Sequence, residues 1–445
     1  MTPASKPVAQ RATLVLPSSG AFDSRAWRIA SSLAARGHEV TVLARSEPGL
    51  PDREDHAAGY RVIRVPVSTE AGLPRPLRPV ARRMRRRVPP GPPADGETAV
   101  SSRPPSRRGV LGRIRAGFAA AWRLAAIALT VRSQRLATRP VAPMADLVHA
   151  MAYMGIPIGL DLGRRDLAPV VYDARDIYIH ARNIARLPLL ARRLFGAVER
   201  RWARQASRVM TVNRPYAEVL AKSFGTPLPA IVMNCSYRRD PPAERPRRFH
   251  EALALSKTAR VVLYQGGLAP HRGIEELIAA LDQLAGNIHL CLLGYGPLEA
   301  AYREAARRDV HRGRLHVLPA VPPAELLDWV ASADIVAMPI QPTTLNHRLT
   351  TPNKLFEAMA AGVPVIASDL PGMAPIVRET GCGVVCDPTD PAAIADAIRS
   401  IFALSAEERD AISGRALAAA AGPYSWEAQV QVLLDEYGRL TGRPW

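Results

Sequence analysis

Apolar residues along the chain fall into short runs of four to eight, separated by amphipathic stretches with three- and four-residue steps. This pattern reads as strands alternating with helices. Residues 12–17 (ATLVLP) form a first apolar strand that ends in the turn Ser18-Ser19-Gly20. A helix is predicted over 23–36, closed by Gly37-His38, and 39–44 (EVTVLA) is a second strand. A β–loop–α–β start of this kind is a parallel-sheet unit. Further strands are predicted at 60–67, 147–150, 169–173, 208–212 and 230–233, with helices at 156–162 and 189–206. The strand at 169–173 runs into Ala174-Arg175-Asp176.

A basic, proline-containing linker at 236–248 precedes a second series of the same kind. Strands are predicted at 260–265, 288–293, 315–318, 335–339, 363–368 and 383–386. Helices are predicted at 274–284, 298–308, 324–331, 374–379 and 391–404. An amphipathic helix over 424–440 could close the second half or cross back to the first. The implied architecture is α/β, two parallel-sheet halves with a cleft between them. Ligands in open parallel sheets sit beyond the carboxyl ends of the strands. The loops there are at Gly20, at Arg175, from Gly266 to Arg272, from Gly294 to Pro297, and from Thr350 to Lys354.

Charge changes the picture at one segment. The chain of 445 residues carries a formal +19, and residues 71–140 hold 16 arginines against two acids, a net +14. Residues 71–107 contain nine prolines and the run Arg82-Arg83-Met84-Arg85-Arg86-Arg87, which predicts a basic loop. Residues 111–136 then follow a helical pattern. Two readings fit this stretch: an interfacial helix against an anionic membrane, or an ordinary helix packed on the sheet. No apolar run reaches the roughly 18 residues of a spanning helix. The polar N-terminus does not resemble a signal peptide. Four cysteines, without a second pair or a histidine cluster, read as buried thiols in a reducing compartment and not as zinc ligands. These features suggest a cytoplasmic protein, peripheral on the inner membrane face if the basic segment binds lipid. The arginine run lacks interleaved aromatics, so no nucleic-acid partner is expected.

The richest stretch is 350–364 (TTPNKLFEAMAAGVP). Thr351 reads as an N-cap with Pro352 at the first helical position, and Leu355, Phe356, Met359 and Ala360 make an apolar face. Asn353 and Lys354 fall in the first turn. A cation there opposes the helix dipole, and a bound phosphate would remove the conflict. The plain alternative is an exposed first-turn lysine. Lysine is rare in this chain, four residues against 55 arginines. Arg272, in a Gly-flanked loop after a strand of the same half, could face the same phosphate. Glu357, one turn beyond Asn353, could accept the hydroxyls of a ribose. No Asp-X-Asp pair, histidine ligand set or Walker loop is present. Charge on a diphosphate leaving group would then be stabilised by Arg, Lys and helix amides, with no metal or other cofactor required.

These motifs resemble the GT-B glycosyltransferases of family 4, the retaining, nucleotide-sugar-dependent type. The resemblance rests on 264–273 (YQGGLAPHRG), 293–297 (LGYGP), Ala333-Asp334-Ile335 and 353–365 (NKLFEAMAAGVPV). It extends to 33–43 (LAARGHEVTVL) in the first half and to Ser425-Trp426-Glu427 near the end. It implies two Rossmann-like domains, an acceptor-binding domain over 1–235 and a donor domain over 236–420. A helix over 421–445 would pack back on the first domain. It further implies that Arg272 and Lys354 hold the donor diphosphate and Glu357 the ribose. The Val321 loop would meet the base, and Gly20, Gly266, Gly267, Thr351, Asn353 and Leu355 would line the donor site. The sequence departs from the family pattern at three positions. The first of the family's two glutamates is Leu349 here, with Asn346 or His347 as substitutes. Arg175 stands at a position often held by His near the transferred sugar, and Gly267 stands where many members place Arg. The expected reaction is retaining transfer of a sugar from a UDP- or GDP-sugar to a glycan or lipid-linked acceptor, in cell-surface polysaccharide or glycolipid synthesis. The competing readings are a GT-B-like sugar-nucleotide epimerase or phosphorylase, or a non-catalytic binding partner of the same fold.

Overall fold

The computed structural model describes residues 9–21, 23–73, 110–242, 244–311 and 313–445, with backbone alone at 110–120, 182 and 183. The predicted basic loop lies outside these residues, except for Ala71, Gly72 and Leu73. The described chain divides into two compact units. One comprises residues up to 232 together with 430–445, and the other comprises 233–429.

The first unit is built on β1 (Arg11–Val15), α1 (Ser24–Ala34), β2 (Glu39–Arg45), β3 (Arg53–Asp55), β4 (Arg61–Val65) and α2 (Val110–Thr138). It continues through β5 (Leu147–Met151), α3 (Ala152–Asp166), β6 (Val170–Asp173), α4 (Leu189–Ala203), β7 (Arg208–Thr211), α5 (Arg214–Phe224) and β8 (Ala230–Ile231). The sheet order is β3-β4-β2-β1-β5-β6-β7-β8, parallel except for β3 against β4. Central strands are buried on both faces, which is why they read as continuous apolar runs.

The second unit holds α6 (Arg248–Leu253), β9 (Arg260–Gly267), α7 (Ile274–Leu281), β10 (Ile288–Tyr295), α8 (Glu299–Arg307), β11 (Leu315–Leu318), α9 (Leu326–Ala331) and β12 (Ile335–Met338). It continues with α10 (Leu345–Leu349), α11 (Asn353–Ala360), β13 (Val365–Ser368), α12 (Ala374–Thr380), β14 (Gly383–Cys386), α13 (Pro391–Ala403) and α14 (Ala406–Ala421). Its sheet is wholly parallel, ordered β11-β10-β9-β12-β13-β14. One face buries Val261, Leu263 and Leu293 with Leu355, Phe356 and Met359 of α11. The other buries Val262, Tyr264 and Leu292 with Leu277 of α7 and Ile394 and Ile398 of α13. The last helix, α15 (Trp426–Thr441), begins in this unit, and from Val430 onward it groups with the first.

The structure corrects several predicted elements. The N-cap of α11 is Pro352, not Thr351, and it makes no side-chain cap bond. The Thr351 hydroxyl donates instead to the Gly372 carbonyl at 2.6 Å, which fixes the entry to the helix from outside it. Helix α5 was not predicted, although Asn213 caps it by accepting from the Tyr216 amide and Gly225 ends it at φ +64°. Helix α14 was also missed, despite a capping box between Ser405 and Glu408. Its alanine-rich face gives a weak periodicity, which hid it. Short β3 and α10 fall in stretches for which no element is predicted. Helix α3 starts four residues before the predicted 156, at Ala152 with φ +59°. All four cysteines are buried free thiols.

Candidate active site

Strand β9 lies at the centre of the second sheet, and its neighbours run outward in opposite chain order. The crevice beyond the carboxyl ends of β9 and β12 is therefore the switch point of this sheet. The sequence lines it with glycine for steric reasons. Gly273 has φ +75°, and a Cβ there would lie 1.8 Å from the Pro339 carbonyl at the end of β12. The His271 carbonyl accepts from the Gln341 amide at 3.1 Å, which binds the Arg272 loop to the same strand end. His271 holds φ +65°, a conformation that a side chain disfavours.

Helix α11 brings Lys354 to this point. Its Nζ sits 3.5 Å over the centroid of the Tyr264 ring. A Cβ on Gly266, itself at φ +117°, would lie 3.7 Å from that nitrogen. A Cβ on Gly267 would meet nothing within 4 Å. Burial holds the Lys354 ammonium pKa well below the ordinary lysine range, Arg272 adds to the depression, and Glu357 opposes it. Neither Arg272 nor Lys354 forms an ion pair with a carboxylate among the described residues. An arriving phosphate would satisfy both cations together with the first-turn amides of α11.

The other predicted donor residues divide. Glu357 accepts a long bond from the Gln265 amide, 3.4 Å, on the α11 face of the sheet. Asn353 accepts from Asn234 at 3.0 Å. Leu355 is wholly buried and its amide is engaged by the Pro352 carbonyl, so its side chain serves the core and not a ligand. Val321 is half-buried against the same core, in the loop after β11. His347 has its Nδ1 2.8 Å from the Thr343 hydroxyl. Burial, Arg272 and His271 push its pKa down to about 4, so it is neutral near pH 7. Gln265, present only within the 264–273 motif, and Thr343 are given no role by the sequence. Gln265 lies near the carboxyl end of β9, and Thr343 just before the cap of α10. Among the described residues no three His, Cys, Asp or Glu side chains gather to hold a metal.

In the first unit, Gly20 turns the chain after β1 at φ +81°. Arg175, after β6, donates from Nη1 to both carboxylate oxygens of Asp23 at 2.8 Å. Asp23 also caps α1 through the Ala26 amide. Burial works against the Arg175 charge, but Asp23 more than restores it, and the pKa rises above the ordinary arginine value. Next to it, Asp173 pairs with Arg25 at 2.6 Å and meets His149 at 3.3 Å. The His149 ring lies 2.7 Å from the Tyr437 hydroxyl.

Two doubly wound α/β units, one carrying two cations at its switch point with no carboxylate ion pair among the described residues, define the architecture of a GT-B transferase. Family models match most of the chain: "Glycosyl transferase 4-like domain" over residues 20–235 and "Glycosyl transferases group 1" over 259–403. The chain belongs to the GT-B glycosyltransferases of family 4. It is 29% identical over 203 residues to a D-inositol 3-phosphate glycosyltransferase of Xylanimonas cellulosilytica, covering 44% of this chain and 46% of that one. The chain thus spans less than half the length of the curated relatives it matches. In fold it is similar to sucrose-phosphate synthase from Thermosynechococcus elongatus, with a TM-score of 0.70, 19% identity, and coverage of 97% and 99%. It is also similar to Anabaena Alr3699/HepE in complex with UDP, with a TM-score of 0.64, 17% identity, and coverage of 97% and 100%.

Proposed function

We propose that this chain is a retaining glycosyltransferase that moves a sugar from a nucleotide-diphosphate sugar, UDP- or GDP-linked, to a glycan or lipid-linked acceptor. The observation that carries this reading is the pair Arg272 and Lys354 at the β9 glycines, with no carboxylate paired to either among the described residues. The donor's C–O bond to the diphosphate breaks, and the acceptor oxygen bonds to the same face of the sugar. The acceptor's proton passes to the leaving phosphate. Arg272, Lys354 and the α11 amides stabilise the departing charge without a required metal. Glu357 holds the ribose, the Val321 loop meets the base, and Arg175 lines the sugar side. The basic segment 71–140 is proposed to meet an anionic membrane that carries the acceptor.

A thermal-shift panel of UDP, GDP, ADP and dTDP with their sugars tests this. UDP, the ligand in the Anabaena structure, goes first. A ligand at 100 times its Kd stabilises by about 2.7 kcal/mol. One clear nucleotide hit, followed by transfer of its sugar, is the expected result. No hit from any nucleotide overturns the donor-site reading. Binding without transfer moves it to the non-catalytic alternative.

A further inference from the structure

Helix α4 is amphipathic in an unusual sense. Its inner face buries Phe195, Glu199 and Ala203 against the first unit. Its outer face does not carry the mixed charges of a solvated helix. Leu190, Leu194 and Val198, one turn apart along a single stripe, are 79%, 58% and 37% exposed, and Leu189 at the helix start is 60% exposed. The exposed polar residues that flank this stripe are Arg193, Arg200 and Arg201, with Arg186 before the helix and Arg204 after it. The only acid in α4 is Glu199, on the buried side.

We propose that the outer face of α4 is a membrane-docking surface for an anionic bilayer, the leucines entering the headgroup boundary and the arginines meeting lipid phosphates. This combination of an apolar stripe with basic flanks suits an interfacial helix. A second copy of the chain is the other apolar partner to consider. Pairing this face with itself would set arginine against arginine with no exposed acid on the helix, an arrangement that like-charge repulsion opposes. Placement also favours lipid. Helix α4 follows β6, so its first turns lie at the carboxyl end of the sheet, the end that carries Arg175. Arg192 fixes those turns to the segment after Arg175 by donating to the Ile179 carbonyl at 3.1 Å. A bilayer on this face would lie at the acceptor end of the unit. Helix α4 lies outside the basic segment 71–140 in sequence, and the proposal does not need that segment to bind lipid.

The test is co-sedimentation of the full chain with phosphatidylglycerol and with phosphatidylcholine vesicles. The chain is expected to pellet with the anionic vesicles only, and less as salt rises. The double variant Leu190→Gln/Leu194→Gln is expected to lower vesicle affinity at least tenfold with an unchanged melting temperature. Arg193→Gln/Arg201→Gln should lower it most at low salt. Wild-type affinity in both variants overturns the α4 proposal. If affinity is lost only on deleting residues 74–109, the α4 surface fails while the reading of the basic segment survives. A concentration-dependent dimer abolished by the leucine variant, without vesicle binding, overturns it in favour of a second copy.

Discussion

Both α/β units place cations at the carboxyl ends of their parallel strands, and they treat them in opposite ways. In the first, two arginines have their own carboxylates: Arg25 meets Asp173 at 2.6 Å, and Arg175 meets Asp23 at 2.8 Å. Arg45 at the end of β2 bonds the neutral Gln134 side chain instead, at 2.9 Å. In the second, burial and Arg272 lower the Lys354 pKa, and neither cation has a carboxylate ion pair among the described residues. The same topology therefore neutralises Arg25 and Arg175 beyond β1 and β6 of one unit, and leaves Arg272 and Lys354 beyond β9 and β12 of the other without an ion pair. A paired charge stabilises the fold that contains it. An unpaired charge costs the fold something and is best explained by what it binds.

The sharpest way to break this contrast is at Asp173. Arg25 and Asp173 are both almost fully buried, and Arg25 also donates to the Val232 carbonyl at 2.6 Å. Asp173→Asn leaves a buried guanidinium uncompensated, a loss of about 3–5 kcal/mol in urea unfolding. The pH dependence has a defined sign. Burial alone would raise the Asp173 pKa, but Arg25 and His149 outweigh it, and the carboxyl is held well below its usual range. Its stabilisation is complete above the unfolded value of about 4 and is lost as pH falls below it. The acid limb of the stability curve should therefore shrink in Asp173→Asn.

Lys354 should behave in the reverse way. Lys354→Ala removes no ion pair, so unfolding stability should move by less than about 1 kcal/mol, the usual range away from buried pairs. Turnover should fall on the order of 10² or more, about 2.7 kcal/mol of transition-state stabilisation, as for loss of one preorganised charge donor. The nucleotide-induced thermal shift should fall with it. A variant as unstable as Asp173→Asn but fully active would reverse the roles given to the two strand ends.

Much of this was legible in the sequence. The parallel strands showed as apolar runs, and Gly266, Arg272, Lys354 and Glu357 could be placed at strand and helix ends by spacing alone. What stayed hidden were partners distant in sequence. Nothing local says that Arg175 reaches Asp23, 152 positions away, or that Tyr437 meets His149, 288 away. Arg175 therefore read only as a ligand-facing arginine. Leu355 shows a related limit: motif position suggests the donor site, while its helical phase puts its side chain in the core. Helix α4 was legible as a helix over 189–206 rich in arginine, with no face assigned. That its leucines face outward depended on which side the sheet took.

Glu199 sharpens the comparison inside the first unit, because it is a buried carboxylate with no cation paired to it among the described residues. Its Oε1 accepts from the Tyr172 hydroxyl at 2.7 Å, and burial raises its pKa to about 7 despite that bond. Where Asp173 keeps its charge by pairing, Glu199 gives its charge up to a proton. A pKa raised in the folded state means that the folded chain holds the proton more tightly than the unfolded one. Stability is then complete below the unfolded value of about 4.3 and declines as pH rises through 7. Glu199→Gln can still accept the tyrosine bond and cannot ionise. It should match the wild type near pH 4.5 and exceed it by on the order of 2 kcal/mol at pH 8. Parallel curves for the two proteins across that range would mean that Glu199 is charged in the fold. Some cation would then have to compensate it, as Arg25 compensates Asp173.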